Sequence, residues 1–102
     1  MKVKDVIVLK EVVADLKDGK YFYDQREMGV GNYFWDSLIA DIESLIIYAG
    51  IHPRRDGFYR MLAKRFPYAI YYEINSNIAY VTAVLPMRRN PKWIKRKLKE
   101  RS

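Results

Sequence analysis

The chain has 102 residues, of which 50% are apolar and 15% are aromatic, so we expect one domain spanning residues 1–102 with a buried core and no long disordered segment. Its lack of cysteine and its single histidine, His52, which we expect to be exposed in a loop, argue against a disulfide framework, a metal centre and a catalytic histidine. No apolar run approaches the about 18 residues of a membrane span, and the N-terminus does not read as a signal peptide, so we expect a cytoplasmic protein without a cofactor, a metal or a membrane partner.

Charge is unevenly distributed along the chain, whose net charge is +7. Residues 1–10 carry a net charge of +2, residues 11–49 carry −5, and residues 50–102 carry +10. A positive field of this kind favours polyanions, such as nucleic acid or an acidic partner chain. A basic but merely well-solvated surface is the alternative that charge alone leaves open.

The first predicted elements are a strand and a helix. The β-branched run from Val3 to Leu9 predicts a short strand, and the run from Glu11 to about Arg26 predicts a helix. One face of this helix carries apolar side chains at helical spacing, namely Val12, Leu16 and Tyr23. Gly19 costs this helix about 1 kcal/mol relative to alanine, and we expect it to let a neighbouring element approach closely.

A second helix is predicted after a break at Met28–Gly31, with Asn32 as its N-cap and an end near Ala49. Its apolar stripe is wide and consists of Phe34, Trp35, Leu38, Ile39, Ile42, Leu45, Ile46 and Ala49. Its acids are expected to lie off that stripe, on solvated surface; they are Asp36, Asp41 and Glu43. The two helices together predict an antiparallel helical hairpin.

The second half of the chain predicts three strands and a helix. After a loop at Gly50–Gly57, strands are predicted at Phe58–Phe66, Tyr68–Ile74 and Ile78–Leu85, the last two joined by a turn as a hairpin. Pro86 is expected to end the ladder because it has no N–H to donate.

A short helix is predicted from Pro91 to about Arg101, capped by Asn90. Its apolar side carries Trp93, Ile94 and Leu98. The predicted fold class is therefore α+β: an N-terminal strand, a two-helix hairpin, a three-stranded antiparallel meander and a short C-terminal helix.

The candidate functional residues are cations with aromatic side chains among them. The cations are Arg60, Lys64, Arg65, Arg88, Arg89, Lys92, Lys95, Arg96, Lys97, Lys99 and Arg101, and the aromatic residues are Tyr59, Tyr68, Tyr71, Tyr72, Tyr80 and Trp93. Cations contact phosphate and aromatic faces stack on unpaired bases, so this composition fits RNA or single-stranded nucleic acid. The alternative is that the tyrosines form sheet core and the cations form a solvated rim.

A resemblance to the RelE/ParE toxins of bacterial type II toxin–antitoxin systems is carried by two runs, LAKRFPYAIYYEI and IAYVTAVLPMRRNPKW. In that family a strand ends in a step of the Phe-Pro-Tyr type, and a hairpin leads to an arginine pair and a proline. The helix–Gly-x-Gly–helix arrangement at Gly29 and Gly31 also fits. The resemblance covers nearly the whole chain and rests on the combined order of these features.

What the resemblance implies is a growth-inhibiting toxin, of the kind used in plasmid stabilization, neutralised by a cognate antitoxin whose tail wraps over the helices and the sheet. The family divides in mechanism. ParE-type members bind and inhibit DNA gyrase. RelE-type members act as mRNA interferases that cut messenger RNA in the ribosomal A site, using Lys, Arg and Tyr side chains.

The match to the RelE-type cleavage residues is partial. Arg60 stands at one basic strand position of that group, but Leu62 and Ala69 occupy two others. Arg88 or Arg89 matches the basic residue after the last strand. Two further departures are Trp93, near the position of the C-terminal tyrosine, and Pro86, where many relatives place histidine.

We therefore expect a ParE-like inhibitor that binds an essential target such as DNA gyrase. A RelE-like ribosome-dependent mRNA endoribonuclease is the alternative, and a non-toxic basic RNA-binding domain is a further one. In the RelE-like alternative, phosphate would be held by Arg60, Arg88 and Arg89, and proton transfer assisted by Tyr71 or Lys64. Further RNA- or target-binding residues are expected to be Arg65, Trp93, Lys95 and Arg96.

Overall fold

One mixed sheet of five strands forms the centre of the molecule. The computed structural model describes residues 2–102, and its strands are β1 (Asp5–Val8), β2 (Arg54–Arg55), β3 (Phe58–Leu62), β4 (Tyr68–Asn75) and β5 (Ile78–Pro86). Their order across the sheet is β1-β5-β4-β3-β2. β1 runs parallel to β5, and the other neighbouring strands are antiparallel.

Helices cover both faces of this sheet, and they are α1 (Lys10–Asp24), α2 (Val30–Glu43), α3 (Leu45–Tyr48) and α4 (Pro91–Arg101). Successive strand residues point to opposite faces, so β4 contributes to two cores. The larger core lies under α1 and α2 and includes Val12, Leu16, Phe34, Leu38, Ile70, Tyr72 and Val81. The smaller core lies under α4 and consists of Phe58, Ala69, Tyr71, Ala83, Leu85 and Leu98. Among the described helices, none has the length and apolar character that a membrane crossing requires.

The predicted fold class is confirmed: an N-terminal strand, a helical hairpin, the β3–β5 meander and a C-terminal helix follow one another in the expected order. The hairpin turn is also confirmed, with Ser76 and Asn77 both at positive φ. β5 runs one residue further than predicted, because Pro86 still pairs with Tyr68 at the end of the ladder.

The start of α2 differs from the prediction, because the helix begins at Val30 and places Asn32 inside its first turn. Gly29 precedes the helix with φ +92°, and the Gly31 N–H donates to Oδ1 of Asp24 at 2.8 Å. A hydrogen bond from Lys20 lowers the pKa of Asp24, and the Gly31 N–H lowers it further. The carboxylate at the end of α1 therefore satisfies the N-terminus of α2, and no asparagine cap is needed.

The second half of the hairpin is interrupted where one continuous helix was predicted. α2 ends at Glu43, and the Ser44 hydroxyl donates to the Asp41 carbonyl at 2.6 Å before α3 begins. Asp41, expected on solvated surface, is 4% exposed, and its Oδ2 accepts the N–H of Lys64 at 3.0 Å. Ile46, expected in the apolar stripe, is 39% exposed.

The region around β3 also departs from the prediction. The predicted strand Phe58–Phe66 ends at Leu62, because the Lys64 N–H turns to Asp41 instead of to a neighbouring strand. Lys64 and Arg65 therefore lie in the turn before β4. The predicted loop Gly50–Gly57 contains the short strand β2, which pairs with the start of β3.

Gly19 allows the close approach that was expected of it. An added Cβ at this position would lie 2.4 Å from Cζ of Phe34, a side chain with no exposed surface. Full burial of a phenylalanine contributes about 1.5–3 kcal/mol. The glycine in α1 thus makes room for the largest apolar side chain that α2 places against it.

A buried ion pair closes the free edge of β5. β1 pairs with β5 only as far as Val81, although β5 continues to Pro86. Beyond that point Asp15 of α1 accepts the Val84 N–H at 2.9 Å, and Arg101 of α4 donates to the Thr82 carbonyl at 3.2 Å.

The two side chains of this pair also bind each other. Arg101 Nη1 and Nη2 donate to the two carboxylate oxygens of Asp15 at 2.5 and 2.8 Å. These hydrogen bonds raise the pKa of Arg101. The sequence placed Arg101 among the ligand-binding or solvated cations, and it placed Asp15 with the other acids on solvated helix surface. The two side chains instead join α1, α4 and β5.

Gly19→Ala is expected to lower the free energy of unfolding by about 1–3 kcal/mol, because the added methyl group overpacks against Phe34. Alanine is otherwise about 1 kcal/mol better than glycine inside a helix. The matched control is Ala14→Gly, at an exposed position of the same helix, which is expected to lose about 1 kcal/mol from propensity alone. Urea unfolding followed by circular dichroism measures both; a Gly19→Ala protein as stable as the wild type would contradict the packing argument.

Asp15→Ala is expected to lower the free energy of unfolding by about 3 kcal/mol, because it leaves the guanidinium of Arg101 and the N–H of Val84 without their partner. Arg101→Ala should cost a similar amount, and the double variant should cost clearly less than the two added together. Lys99→Ala, at an exposed position of the same helix, is the control and should change stability by less than about 0.5 kcal/mol. Additive losses in the double variant would show that the two side chains are not coupled.

Candidate functional site

One cleft brings Arg60 and Tyr71 together on the α4 side of the sheet. The two residues lie opposite each other in the ladder between β3 and β4. The cleft, which we call the Arg60 cleft, has a volume of about 380 Å³ and is lined by Arg55, Asp56, Arg60, Tyr71, Met87, Arg89, Pro91, Ile94 and Lys95. Four of these nine side chains are cationic and one is acidic, so the cleft suits an anion.

Arg60 has a spare donor in this cleft. Its Nε atom is buried and has no hydrogen-bond partner among the described residues. A buried donor without a partner costs free energy.

Tyr71 lies beside Arg60 but is itself almost fully buried. Its side chain is 2% exposed. Burial raises the pKa of the Tyr71 hydroxyl, and the neighbouring guanidinium of Arg60 offsets part of that rise. At neutral pH the hydroxyl is therefore protonated, so it can donate a hydrogen bond but cannot act as a base.

A second cleft, which we call the Phe22 cleft, lies between α1 and α4 at the end of β5. Its volume is about 490 Å³, and it is lined by Asp15, Asp18, Tyr21, Phe22, Gln25, Arg26, Tyr68, Val84, Leu85, Pro86, Arg88, Arg89, Trp93 and Lys97. Val84, Leu85 and Pro86 of β5 border it, but the side chains of Val84 and Leu85 are buried in the two cores.

Aromatic rings hold the cations of the Phe22 cleft in place. The guanidinium carbons of Arg26 and Arg88 lie 3.6 and 4.0 Å from the centroid of the Phe22 ring. The guanidinium carbon of Arg89 lies 4.0 Å from the centroid of the Trp93 ring. The ammonium nitrogen of Lys97 lies 5.5 Å from the same centroid. Each such contact is worth about 0.5–1 kcal/mol at an exposed site, which restricts the side chain without neutralising it.

The two arginines that were predicted to act as one pair point in different directions. Arg88 turns towards Phe22 and lies near Tyr68, whose pKa is raised by burial and lowered in part by that guanidinium. Arg89 stacks on Trp93 and lines both clefts.

The predicted site residues therefore fall into several places. The Arg60 cleft gathers Arg60, Tyr71, Arg89 and Lys95, and the Phe22 cleft gathers Arg88, Arg89 and Trp93. Arg96 lines a shallow surface hollow with Lys92, beside the arginine pair. Lys64 and Arg65 lie in the turn after β3, and Lys64 lines a different groove, next to Leu62 and His52.

His52 is partly buried, whereas an exposed loop residue was expected. Its Nδ1 lies 2.5 Å from the Tyr72 hydroxyl, which also accepts the Gly50 N–H at 2.8 Å. Burial lowers the pKa of His52. The hydroxyl and the imidazole lie within hydrogen-bond distance of each other, and the contact fixes the loop before β2.

Sequence reasoning missed several residues that line the clefts, above all Phe22, Arg26 and Arg55. A usable signal existed for Phe22 and Arg26, because residues four apart are neighbours on a helix surface. The same spacing relates Trp93 to Lys97. Within residues 2–102, no group of three or more His, Asp or Glu side chains is placed to hold a metal ion.

Comparison with known proteins gives a likeness in structure only. No family model and no curated protein matches the sequence. A chain of the solved structure "Chromosomal ParDE TA system from P. aeruginosa" matches with a TM-score of 0.74 at 11% sequence identity, over 82% of this chain and 96% of that chain. The likeness at this identity is one of fold, and it agrees with the resemblance carried by the two sequence runs. The chain therefore has a RelE/ParE-like fold.

Proposed function

We propose that the protein is the toxin of a toxin–antitoxin pair and that it acts by binding an essential target rather than by cutting RNA. The fold likeness to a chain of a ParDE system supports the general assignment. DNA gyrase, the target of ParE-type toxins, is the first candidate target. The partner that neutralises the toxin is a cognate antitoxin.

One observation carries the choice of mechanism: the Arg60 cleft is rich in fixed cations and poor in groups that move a proton. Cleavage of RNA through the 2′-OH needs a base for that hydroxyl and an acid for the leaving oxygen. Tyr71 is almost fully buried, and at the two other basic positions of RelE-type enzymes stand Leu62, which is 51% exposed, and Ala69, which is buried. Binding of an anionic or acidic surface needs only the cations.

The RelE-like alternative keeps one observation in its favour. Arg60 lines a cleft with three further cations, Arg55, Arg89 and Lys95. Stabilising the charge on a phosphate in the transition state is a large part of RNA cleavage, and this cleft can supply it. Asp56 is the one carboxylate among its lining residues that could accept a proton.

Arg88→Ala combined with Arg89→Ala is expected to abolish growth arrest while leaving the fold intact. The two guanidinium groups are exposed and contribute only stacking on Phe22 and Trp93, about 1 kcal/mol each at most. Colony counts after induced expression give the readout, and circular dichroism checks the fold. The matched control is Lys2→Ala with Lys4→Ala, which removes two exposed cations from the other end of the chain and should stay toxic.

Two assays on the wild-type protein distinguish binding of a target from cleavage of RNA. In the first assay, the protein should inhibit supercoiling by DNA gyrase. In the second, a reporter messenger RNA is incubated with the protein in a reconstituted translation reaction, and primer extension should show that it stays intact. New 5′ ends that appear only with ribosomes would replace the proposal with the RelE-like alternative. If expression of the protein left growth unchanged, the remaining interpretation would be the non-toxic RNA-binding domain.

A further inference from the structure

We infer that the solvent face of α4 binds the phosphate backbone of duplex DNA. Four exposed cations lie on this face, which we call the α4 basic face; they are Lys92, Lys95, Arg96 and Lys99. None of the four lines the Phe22 cleft. The inference goes beyond the proposed function and does not depend on it, because binding to DNA is measured on the protein alone.

Helical spacing puts these four cations on one side of α4. With 3.6 residues per turn, their positions fall within an arc of about 100° around the helix axis. The opposite side faces the protein, where Ile94 and Leu98 belong to the smaller core and Arg101 binds Asp15. The one acid of this helix, Glu100, lies at the edge of the arc. The α4 basic face is therefore almost purely cationic.

The charge of this face is not neutralised within the protein. The described residues contain two ion pairs, and neither includes a cation of the α4 basic face. Two acids, Asp56 and Glu73, line a hollow together with the C-terminal part of the face, but they form no ion pair there. The four positive charges are therefore available to a ligand.

The four cations also repel one another. Residues three or four positions apart are neighbours on a helix surface, and like charges at that spacing destabilise the helix. The face contains four such pairs, at positions 92 and 95, 92 and 96, 95 and 99, and 96 and 99. The first turn of α4 holds a cation and no acid, although a helix N-terminus favours negative charge. A ligand with several closely spaced anionic groups would relieve both effects.

The helix presents its cations as a fixed array. Asn90 caps its N-terminus, Leu98 is 1% exposed, and Arg101 near its C-terminus is held by Asp15. The first and last cations of the face are seven residues apart, which is about 10 Å along the helix axis. Duplex DNA carries about six phosphates in the same length, counting both strands. Several cations of the face can therefore meet phosphates at the same time.

The composition of the α4 basic face favours a nucleic acid over an acidic protein. The cores of protein–protein interfaces are depleted of charged residues and enriched in aromatic ones. Interfaces with DNA are more polar and much more positively charged. No large apolar side chain of α4 is among the exposed ones, so this face resembles the second kind of interface.

Two further observations favour duplex DNA among the nucleic acids. Binding of unpaired bases needs open aromatic faces on which they stack. The one aromatic residue of α4, Trp93, already carries the guanidinium of Arg89 at 4.0 Å from its ring centroid. The major groove of B-form DNA admits an α-helix, whereas that of A-form RNA is too narrow for side chains to read. An exposed helix edged with cations therefore suits the DNA duplex better.

The test measures how binding of the full-length protein to DNA depends on salt. The probe is a fluorescein-labelled duplex of about two helical turns, and fluorescence anisotropy gives the affinity between about 0.05 and 0.2 M salt. Each phosphate that a cation neutralises contributes about −0.9 to the slope of log K against log salt concentration. The four cations predict a slope of about −3.6 or steeper.

The variant Lys92→Ala/Lys95→Ala/Lys99→Ala is expected to make this slope less steep by about 2.7, because three phosphate contacts are lost. The matched control is Lys2→Ala/Lys4→Ala/Lys17→Ala, which removes three exposed cations outside α4 and should leave the slope unchanged. Circular dichroism checks the fold of both variants. If the alanine variant failed to fold, Lys92→Gln/Lys95→Gln/Lys99→Gln would replace it.

Three outcomes would overturn the inference. The absence of binding at the lowest salt concentration would show that the face has no affinity for DNA. An equal change of slope in the control variant would mean that DNA binds a diffuse positive field. Tighter binding of duplex RNA of the same sequence, or of a fluorescein-labelled oligothymidylate, would assign the face to another nucleic acid. None of these readouts depends on whether the protein is toxic.

Discussion

The ion pair between Asp15 and Arg101 is the interaction on which the arrangement of both clefts depends. The edge of β5 beyond Val81 has no neighbouring strand, and an uncovered sheet edge leaves backbone groups without partners. The pair meets two of those groups, the Val84 N–H and the Thr82 carbonyl, and reaches them from opposite faces of the sheet. Without it, α4 would be held mainly by the small cluster around Leu98.

The position of α4 in turn decides what the cations can do. Eleven residues of this helix include six cations, and only Arg101 is neutralised by an ion pair within the described residues. Leu98 packs in the smaller core and Trp93 lines the Phe22 cleft. Of the remaining cations, Lys97 lines the Phe22 cleft and Lys95 lines the Arg60 cleft, and the acid that holds the helix in place, Asp15, lies in the negative first half of the chain.

Local patterns in the sequence were sufficient for the fold class. The hairpin between β4 and β5, the capped helix after Asn90 and the glycine that admits Phe34 each follow from residues close together in the chain. The boundary errors have a common cause. Asp41 and Asp24 satisfy backbone N–H groups at Lys64 and Gly31, and these contacts end a predicted strand and replace a predicted cap.

The candidate site was less predictable than the fold. Some of its contacts join residues that are far apart in the sequence, and others involve neighbouring residues whose side chains point in different directions. Asp15 and Arg101 are 86 positions apart, and no local pattern relates them. Arg88 and Arg89 are adjacent, so they read as one unit, yet their side chains stack on rings from different helices. The side chains of two adjacent residues after a strand can point in the same direction or in different directions. Here the positions of Phe22 and Trp93 decide that the two arginines point apart.

Arg89 gives the two clefts a physical link. It lines both of them, stacked on Trp93, and a single guanidinium has one free edge with which to bind an anion in two parallel hydrogen bonds. A ligand that occupies the Phe22 cleft and engages Arg89 withdraws that edge from any ligand in the Arg60 cleft. Two ligands that require the same donor bind less well together than apart, and this reduction is reciprocal. Ligands of the two clefts would thus compete at one arginine even where their other contacts do not overlap.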